Sequence, residues 1–158
     1  MAIVRLQTLI QAPIERCFDL ARSIDLHTLS MTKQHEKAVA GRTEGLIEPG
    51  DVVTWQARHF GITQHLTSKI TCFDRPHHFR DSMVAGAFRR FDHDHFFEAQ
   101  GRTTLMRDVF DYQAPLGILG RMAERLFLTR YMTTLLRVRN EVIKEVAEGD
   151  RWSELVSA

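Results

Sequence analysis

The chain has 158 residues, 44% of them apolar, with 21 basic and 20 acidic side chains. At roughly 100–200 residues per domain this is one domain, long enough to fold without a disulfide or metal staple. A formal net charge of +1 excludes a phosphate-driven nucleic-acid binder and a polybasic membrane anchor, since both need a basic excess.

Ile3 to Gln11 is rich in β-branched and apolar residues and stops at Ala12-Pro13, which predicts a first strand. Pro13 suits the start of a helix, where its missing N–H has no partner to lose. Ile14, Cys17, Phe18 and Ala21 then recur at helical spacing, and a second short helix is expected over Ile24–Met31.

From His35 to Tyr112 the period changes to two. Turn signals at Pro49-Gly50, Phe60-Gly61, Arg75-Pro76, Gly86 and Gly101 separate six runs. These are His35–Gly41, Asp51–His59, Thr63–Phe73, His78–Val84, Phe88–Glu98 and Thr103–Tyr112. Turns this short make neighbouring strands antiparallel, because a parallel pair needs a crossover of about a dozen residues.

After Pro115-Leu116-Gly117, the residues up to Gly149 read as one long helix, about 45 Å at 1.5 Å per residue. Phe127, Tyr131, Leu135, Val138, Val142 and Val146 mark its apolar stripe, widened by Leu128, Met132, Leu136 and Ile143. Arg121, Arg125, Arg130, Arg137 and Arg139 are left for solvent or acidic partners. Residues 1–149 thus make one domain, and 150–158 are expected to be a flexible tail. The fold class is α+β: a curved seven-stranded antiparallel sheet around a long C-terminal helix, with two short helices after the first strand.

No window approaches about 18 uncharged apolar residues, and the N-terminus lacks a secretory layout. Cys17 and Cys72 stand far apart without metal spacing, which reads as two buried free thiols in a reducing compartment. The expectation is a cytoplasmic protein with no integral membrane association.

The densest polar signal is Phe91-Asp92-His93-Asp94-His95-Phe96-Phe97. On a strand, Phe91, His93, His95 and Phe97 share one face, and the flanking phenylalanines make it the inward one. In the next strand Thr104, Met106, Asp108, Phe110 and Tyr112 form the matching set. Pairing Phe97 with Thr104 through the Gly101 hairpin sets His95 against Met106 and His93 against Asp108. Phe79, Asp81 and Met83 are the inward set on the other side, bringing Asp81 near Phe91 or His93.

Three readings of this cluster stay open. It is a charge-balanced internal network; or it is the polar end of a ligand cavity, whose histidines can work as acid or base. The third is a 2-His-1-carboxylate metal site at His93, His95 and Asp108. The sequence holds no Gly-rich phosphate loop, no Cys pair at zinc spacing and no Ser elbow. No cofactor is expected.

The order of elements and several residues resemble the START and birch-pollen-allergen superfamily, the helix-grip fold, in its bacterial polyketide cyclase/dehydrase and lipid-transport branch. The resemblance is carried by Pro13, Gly50-Asp51 with Trp55, Phe79-x-Asp81, Gly86-x-Phe88, His93-x-His95-x-Phe97, Gly101 through Thr104 to Asp108, and Tyr112 with Pro115-x-Gly117. It covers residues 3 to 149. It implies a cavity between sheet and helix for a hydrophobic or amphipathic small molecule such as a lipid, quinone or aromatic polyketide. By position, the implied cavity wall comprises Trp55, Met83, Phe91, His93, His95, Met106, Asp108, Phe110, Leu128, Tyr131, Met132 and Leu135. The alternative it implies is a cofactor-independent cyclase or dehydratase using His93 or His95 with Asp108. The partner expected is a small molecule rather than nucleic acid, with a homodimer left open.

Overall fold

Strand β1 (Ala2–Ile10) alternates as expected, with Val4 and Ile10 buried. The computed structural model describes residues 2–156, and every side chain among them except those of Glu124 and Arg125. Pro13 caps helix α1 (Ile14–Ala21), whose Ile14, Cys17, Phe18 and Ala21 turn inward. Helix α2 (Ile24–Ser30) opens on Ser23, whose hydroxyl accepts from the Leu26 N–H.

Six strands follow: β2 (Lys37–Gly41), β3 (Val52–His59), β4 (Ile62–Asp74), β5 (His78–Ala85), β6 (Arg90–Gln100) and β7 (Thr103–Gln113). They form one antiparallel sheet in the order β1-β7-β6-β5-β4-β3-β2. The meander closes on β1, which pairs with the last strand. A continuous helical path then runs through α3 (Gly117–Ala123), a π-helical segment (Glu124–Leu128) and α4 (Thr129–Glu148). This is the long helix that the sheet wraps.

The β6–β7 register lies two residues from the expected one. Phe97 faces Met106, His95 faces Asp108 and His93 faces Phe110. Gly101 adopts φ 65° and opens the two-residue turn, so the ladder runs on to Gln100 opposite Thr103 and the turn sits one residue later than the expected register implies. A shift of two keeps every side chain on its face, so the inward set is unchanged.

Other expectations need correction. Cys17 is buried but Cys72 is exposed. A bulge between Ile70 and Cys72 breaks the alternation, turning Phe73 toward the core instead. On α4 the buried side chains are Leu135, Leu136, Arg139, Asn140, Ile143 and Ala147. Phe127 and Val138 are exposed and Arg139 is only 4% exposed. Two overlapping stripes compete on this helix, and packing against β1, α1 and α2 selects the one through Arg139. Arg125 lies outside the described side chains. Residues 152–156 form helix α5, whose Trp152, Leu155 and Val156 pack on the core where a loose tail was expected. Residues 157 and 158 lie outside the described residues.

The core falls into two parts. One gathers Phe18, Phe79, Phe97, Met106 and Ile143 around α1. The other gathers Val4, Phe91, Phe110, Tyr112 and Leu136, with Leu128 and Met132 beside it. The inward polar residues of β5, β6 and β7 sit between them.

Candidate functional site

Period-two alternation places Asp81 of β5, His93 and His95 of β6 and Asp108 of β7 on the inner face of three adjacent strands. Asp81 is paired with His93, and His95 with Asp108. The two imidazoles lie 3.8 Å apart between centroids, and Phe79 stacks on His95 at 4.2 Å.

Asp108 is 1% exposed and collects donors from two sides. His93 Nε2 lies 3.1 Å from its Oδ1, and Asn140 Nδ2 donates to its Oδ2 at 2.6 Å. Arg139 Nη1 reaches Oδ1 at 3.5 Å while its Nη2 donates to the Ala21 carbonyl at 3.0 Å. His95 Nδ1 comes within 2.9 Å of Asp108 Oδ1, yet off the hydrogen-bond axis, so this buried nitrogen makes no hydrogen bond. Asp81 closes the ring on the opposite side. Its Oδ1 is 3.2 Å from His95 Nε2 and 3.9 Å from His93 Nδ1. Each imidazole therefore shows one nitrogen to each carboxylate.

Burial sets the electrostatics. It pushes His93 down to about 4, helped by the neighbouring His95 and against the pull of Asp108 and Asp81. Burial would raise Asp108, but the hydrogen bonds and charges of His93 and His95 win and hold it well below the ordinary carboxylate range. Asp81 is lowered in the same way, its desolvation outweighed by His95 and His93. Ionised carboxylates only accept, so His93 Nε2 donates to Asp108 and His95 Nε2 to Asp81.

Asp81, His93 and His95 open onto a cavity of about 300 Å³ between the sheet and the long helix. Of the wall positions implied by the resemblance, Trp55, Phe91, His93, His95, Phe110, Leu128, Tyr131, Met132 and Leu135 line it. Three do not. Asp108 sits one layer behind the imidazoles, Met106 is fully buried in the α1 core, and Met83 packs on the second core cluster.

A second polar group stands on the same wall. His59 Nδ1 and Tyr131 Oη are 2.7 Å apart, with the exposed Phe60 ring 4.7 Å from Tyr131. His27 lies 4.3 Å from the Trp55 ring and bonds Glu36 at 3.0 Å. Burial raises Tyr131 and lowers His59, while Glu36 stays low because His27 outweighs its desolvation.

Sequence reasoning missed Arg139, Asn140, His59, His27 and Glu36. Arg139 stands four residues from both Leu135 and Ile143, and Asn140 four from Leu136 and three from Ile143, so spacing alone could have placed both inside. His59 continues the Val53, Trp55, Ala57 alternation, and His27 lies three residues from Ile24. Glu36 offers no local signal, because a 3₁₀ turn (Thr32–Gln34) resets the chain before it.

The grouping of potential metal ligands also differs from the expected one. Asp81, His93 and His95 have their donor atoms within 4.8 Å of one another. Asp81, not Asp108, is the carboxylate on the cavity side. Among the described residues, no helix is long and apolar enough to cross a membrane.

No protein-family model matches the chain, and no curated protein matches its sequence. Solved structures match its fold. A Thermus thermophilus protein superposes with a TM-score of 0.69 at 18% identity, covering 90% of this chain and 97% of its own. Ginseng major latex-like protein 151 from Panax ginseng gives 0.67 at 17%, covering 94% and 98%. A START superfamily protein from Mycobacterium smegmatis gives 0.69 at 11%, covering 91% and 98%. The shared architecture is the helix-grip fold.

Proposed function

We propose that residues 1–149 form a ligand-binding domain that holds a hydrophobic or amphipathic small molecule in the cavity between sheet and helix. The observation that carries this is the cavity itself. Its volume of about 300 Å³ stands at the lower end of the roughly 300–1,000 Å³ of small-molecule sites. Aromatic and aliphatic side chains make most of its wall, and its polar groups include Asp81 with His93 and His95, His59 with Tyr131, and His27 with Glu36. Such a wall suits a lipid, quinone or aromatic polyketide-like guest whose oxygen atoms meet those polar groups.

The free thiols Cys17 and Cys72 support action in the cytoplasm, where thiols stay reduced. Native mass spectrometry of protein purified from its host is the test. A co-purified organic molecule, displaced when Leu135→Trp fills the cavity, is the expected result. A protein that carries no guest and takes up no fatty acid, quinone or aromatic probe would overturn the reading. Sedimentation velocity on the same sample reports whether two copies associate.

The second reading is a cyclase or dehydratase with His93 or His95 as acid or base and Asp108 as the group that orients it. It rests on the His93 Nε2 contact to Asp108, which leaves Nδ1 on the cavity side. An imidazole held near 4 is a weak base at neutral pH, since general catalysis works best with a pKa near the operating pH. Binding is therefore the leading reading. Conversion of an identified guest that survives His93→Gln and Asp108→Asn unchanged would remove the enzymatic one.

A further inference from the structure

We propose that Asp81, His93 and His95 form a binding site for a divalent first-row transition metal, with Asp108 as the shared carboxylate behind both imidazoles. The argument begins with proton placement. Asp108 is buried and anchored by Asn140 and Arg139, so it stays a pure acceptor toward β6. It faces His93 Nε2 at 3.1 Å and His95 Nδ1 at 2.9 Å. His93 therefore keeps its proton on Nε2 toward Asp108, while His95 hydrogen-bonds Asp81 through Nε2 and leaves its buried Nδ1, beside Asp108, without a hydrogen bond.

His93 Nδ1 and His95 Nε2 both face one oxygen of Asp81, at 3.9 and 3.2 Å. Three potential ligand atoms converge there. A metal bound among them would take the place of the His95 Nε2 proton, and moving that proton to Nδ1 would give the orphaned nitrogen Asp108 as its acceptor.

The distances fit. Metal bonds of about 2.0–2.2 Å to His and carboxylate put neighbouring donors roughly 3.0–3.5 Å apart. The Asp81–His95 pair at 3.2 Å already meets this, and the Asp81–His93 pair at 3.9 Å must close a little. The donor set selects the metal class. Two imidazoles with one carboxylate suit zinc, iron, cobalt, nickel or copper, whereas magnesium and calcium prefer oxygen alone. The surroundings have the form of a metal site's outer layer: ligating histidines usually donate their other N–H to a carboxylate, fixing tautomer and ring angle. Here a single carboxylate serves both rings. Phe79 covers the flank of His95, while the Asp81 side opens on the cavity. The open coordination positions therefore face the guest, and a guest oxygen is what they would take. Only this last point rests on the binding function; the metal site stands on its own residues.

The test uses tag-free, chelator-treated full-length protein titrated with Co²⁺ alone. Ligand-field absorption saturating at one cobalt per chain, with a rise in melting temperature, is expected. Asp81→Asn removes the cavity-side ligand and should abolish the bands while the far-UV spectrum stays native. Asp108→Asn should weaken cobalt binding by about 10–100-fold, the usual effect of losing such a supporting group. Replacing the exposed His77 with Ala should change nothing. Absence of the bands in wild-type protein, or bands unaltered by Asp81→Asn, would overturn the site. Guest retention is measured separately by native mass spectrometry on metal-free protein. Loss of cobalt binding with guest retained therefore defeats the metal site alone, and the converse defeats the carrier reading alone.

Discussion

Strands β5, β6 and β7 carry the same residue types on both faces, and the two faces behave differently. On the outer face Arg80 grips Asp94 with two hydrogen bonds of 2.8 and 2.9 Å, and His78 adds a third at 2.7 Å. Ser82 donates to Asp92 and Arg90 to Asp111. The Arg80 and Arg90 side chains are 42% and 37% exposed, so water competes with each pair. On the inner face Asp81, His93, His95 and Asp108 meet under the long helix, and Asp108 has no contact with solvent to fall back on. Salt bridges of the exposed kind contribute little, whereas a buried charge that loses its partners is expensive. The same chemistry is thus decoration on one side of a strand and a structural commitment on the other.

The contrast breaks most visibly at Asp108. Asp108→Ala leaves His93, Asn140 and Arg139 facing no acid, and should lower stability by about 3–5 kcal/mol in urea unfolding. A loss no larger than that of an outer-face pair would mean that the inner cluster is not an interdependent network.

The pH response sharpens the contrast. His93 is depressed to about 4 from its ordinary 6.5, so the unfolded chain takes up the proton first as pH falls. Stability should therefore decline between roughly pH 6.5 and 4 in chelator-treated protein, by up to about 3 kcal/mol. The groups facing His93 are His95, Asp81 and Asp108. The low values of Asp108 and Asp81 add a further loss below the ordinary carboxylate range. His93→Gln should flatten the upper part of the curve, read from melting temperature against pH.

Asn140→Ala removes the 2.6 Å donor to Asp108 Oδ2. An acceptor left unsatisfied in the interior costs about 1–3 kcal/mol, and a double-mutant cycle with Asp108→Asn should show strong coupling. The smallest effect belongs outside. Arg80→Ala should cost under about 1 kcal/mol and lose even that in high salt.

Much of the inner cluster is written in local patterns. Phe91, His93, His95 and Phe97 announce their common face by alternation, and so do Phe79 with Asp81 and Met106 with Asp108. What alternation does not carry is partnership. A register slip of two residues left those faces intact yet changed which residue meets Asp108 across the ladder. Arg139 shows the complementary failure: its spacing fits the buried stripe, but its charge argued for solvent. Only the combined demand of Asp108 and the Ala21 carbonyl makes a buried guanidinium affordable there. Cys72 was misplaced for a different reason, because a bulge inverts alternation without a distinctive local residue to mark it.

By itself, then, the sequence determined the α+β class, the strand-then-helix order and the inward set of His93, His95, Asp81 and Asp108, because periods of 2 and 3.6 are properties of neighbouring residues. The tertiary structure alone decided that Asp81 faces the cavity while Asp108 stands behind the rings, and that Asn140 and Arg139 reach Asp108 from the helix. Those choices depend on hairpin register and on the rotation of a helix about its axis. Both are set by packing between segments as far apart as Asp108 and Asn140, where no local pattern reaches.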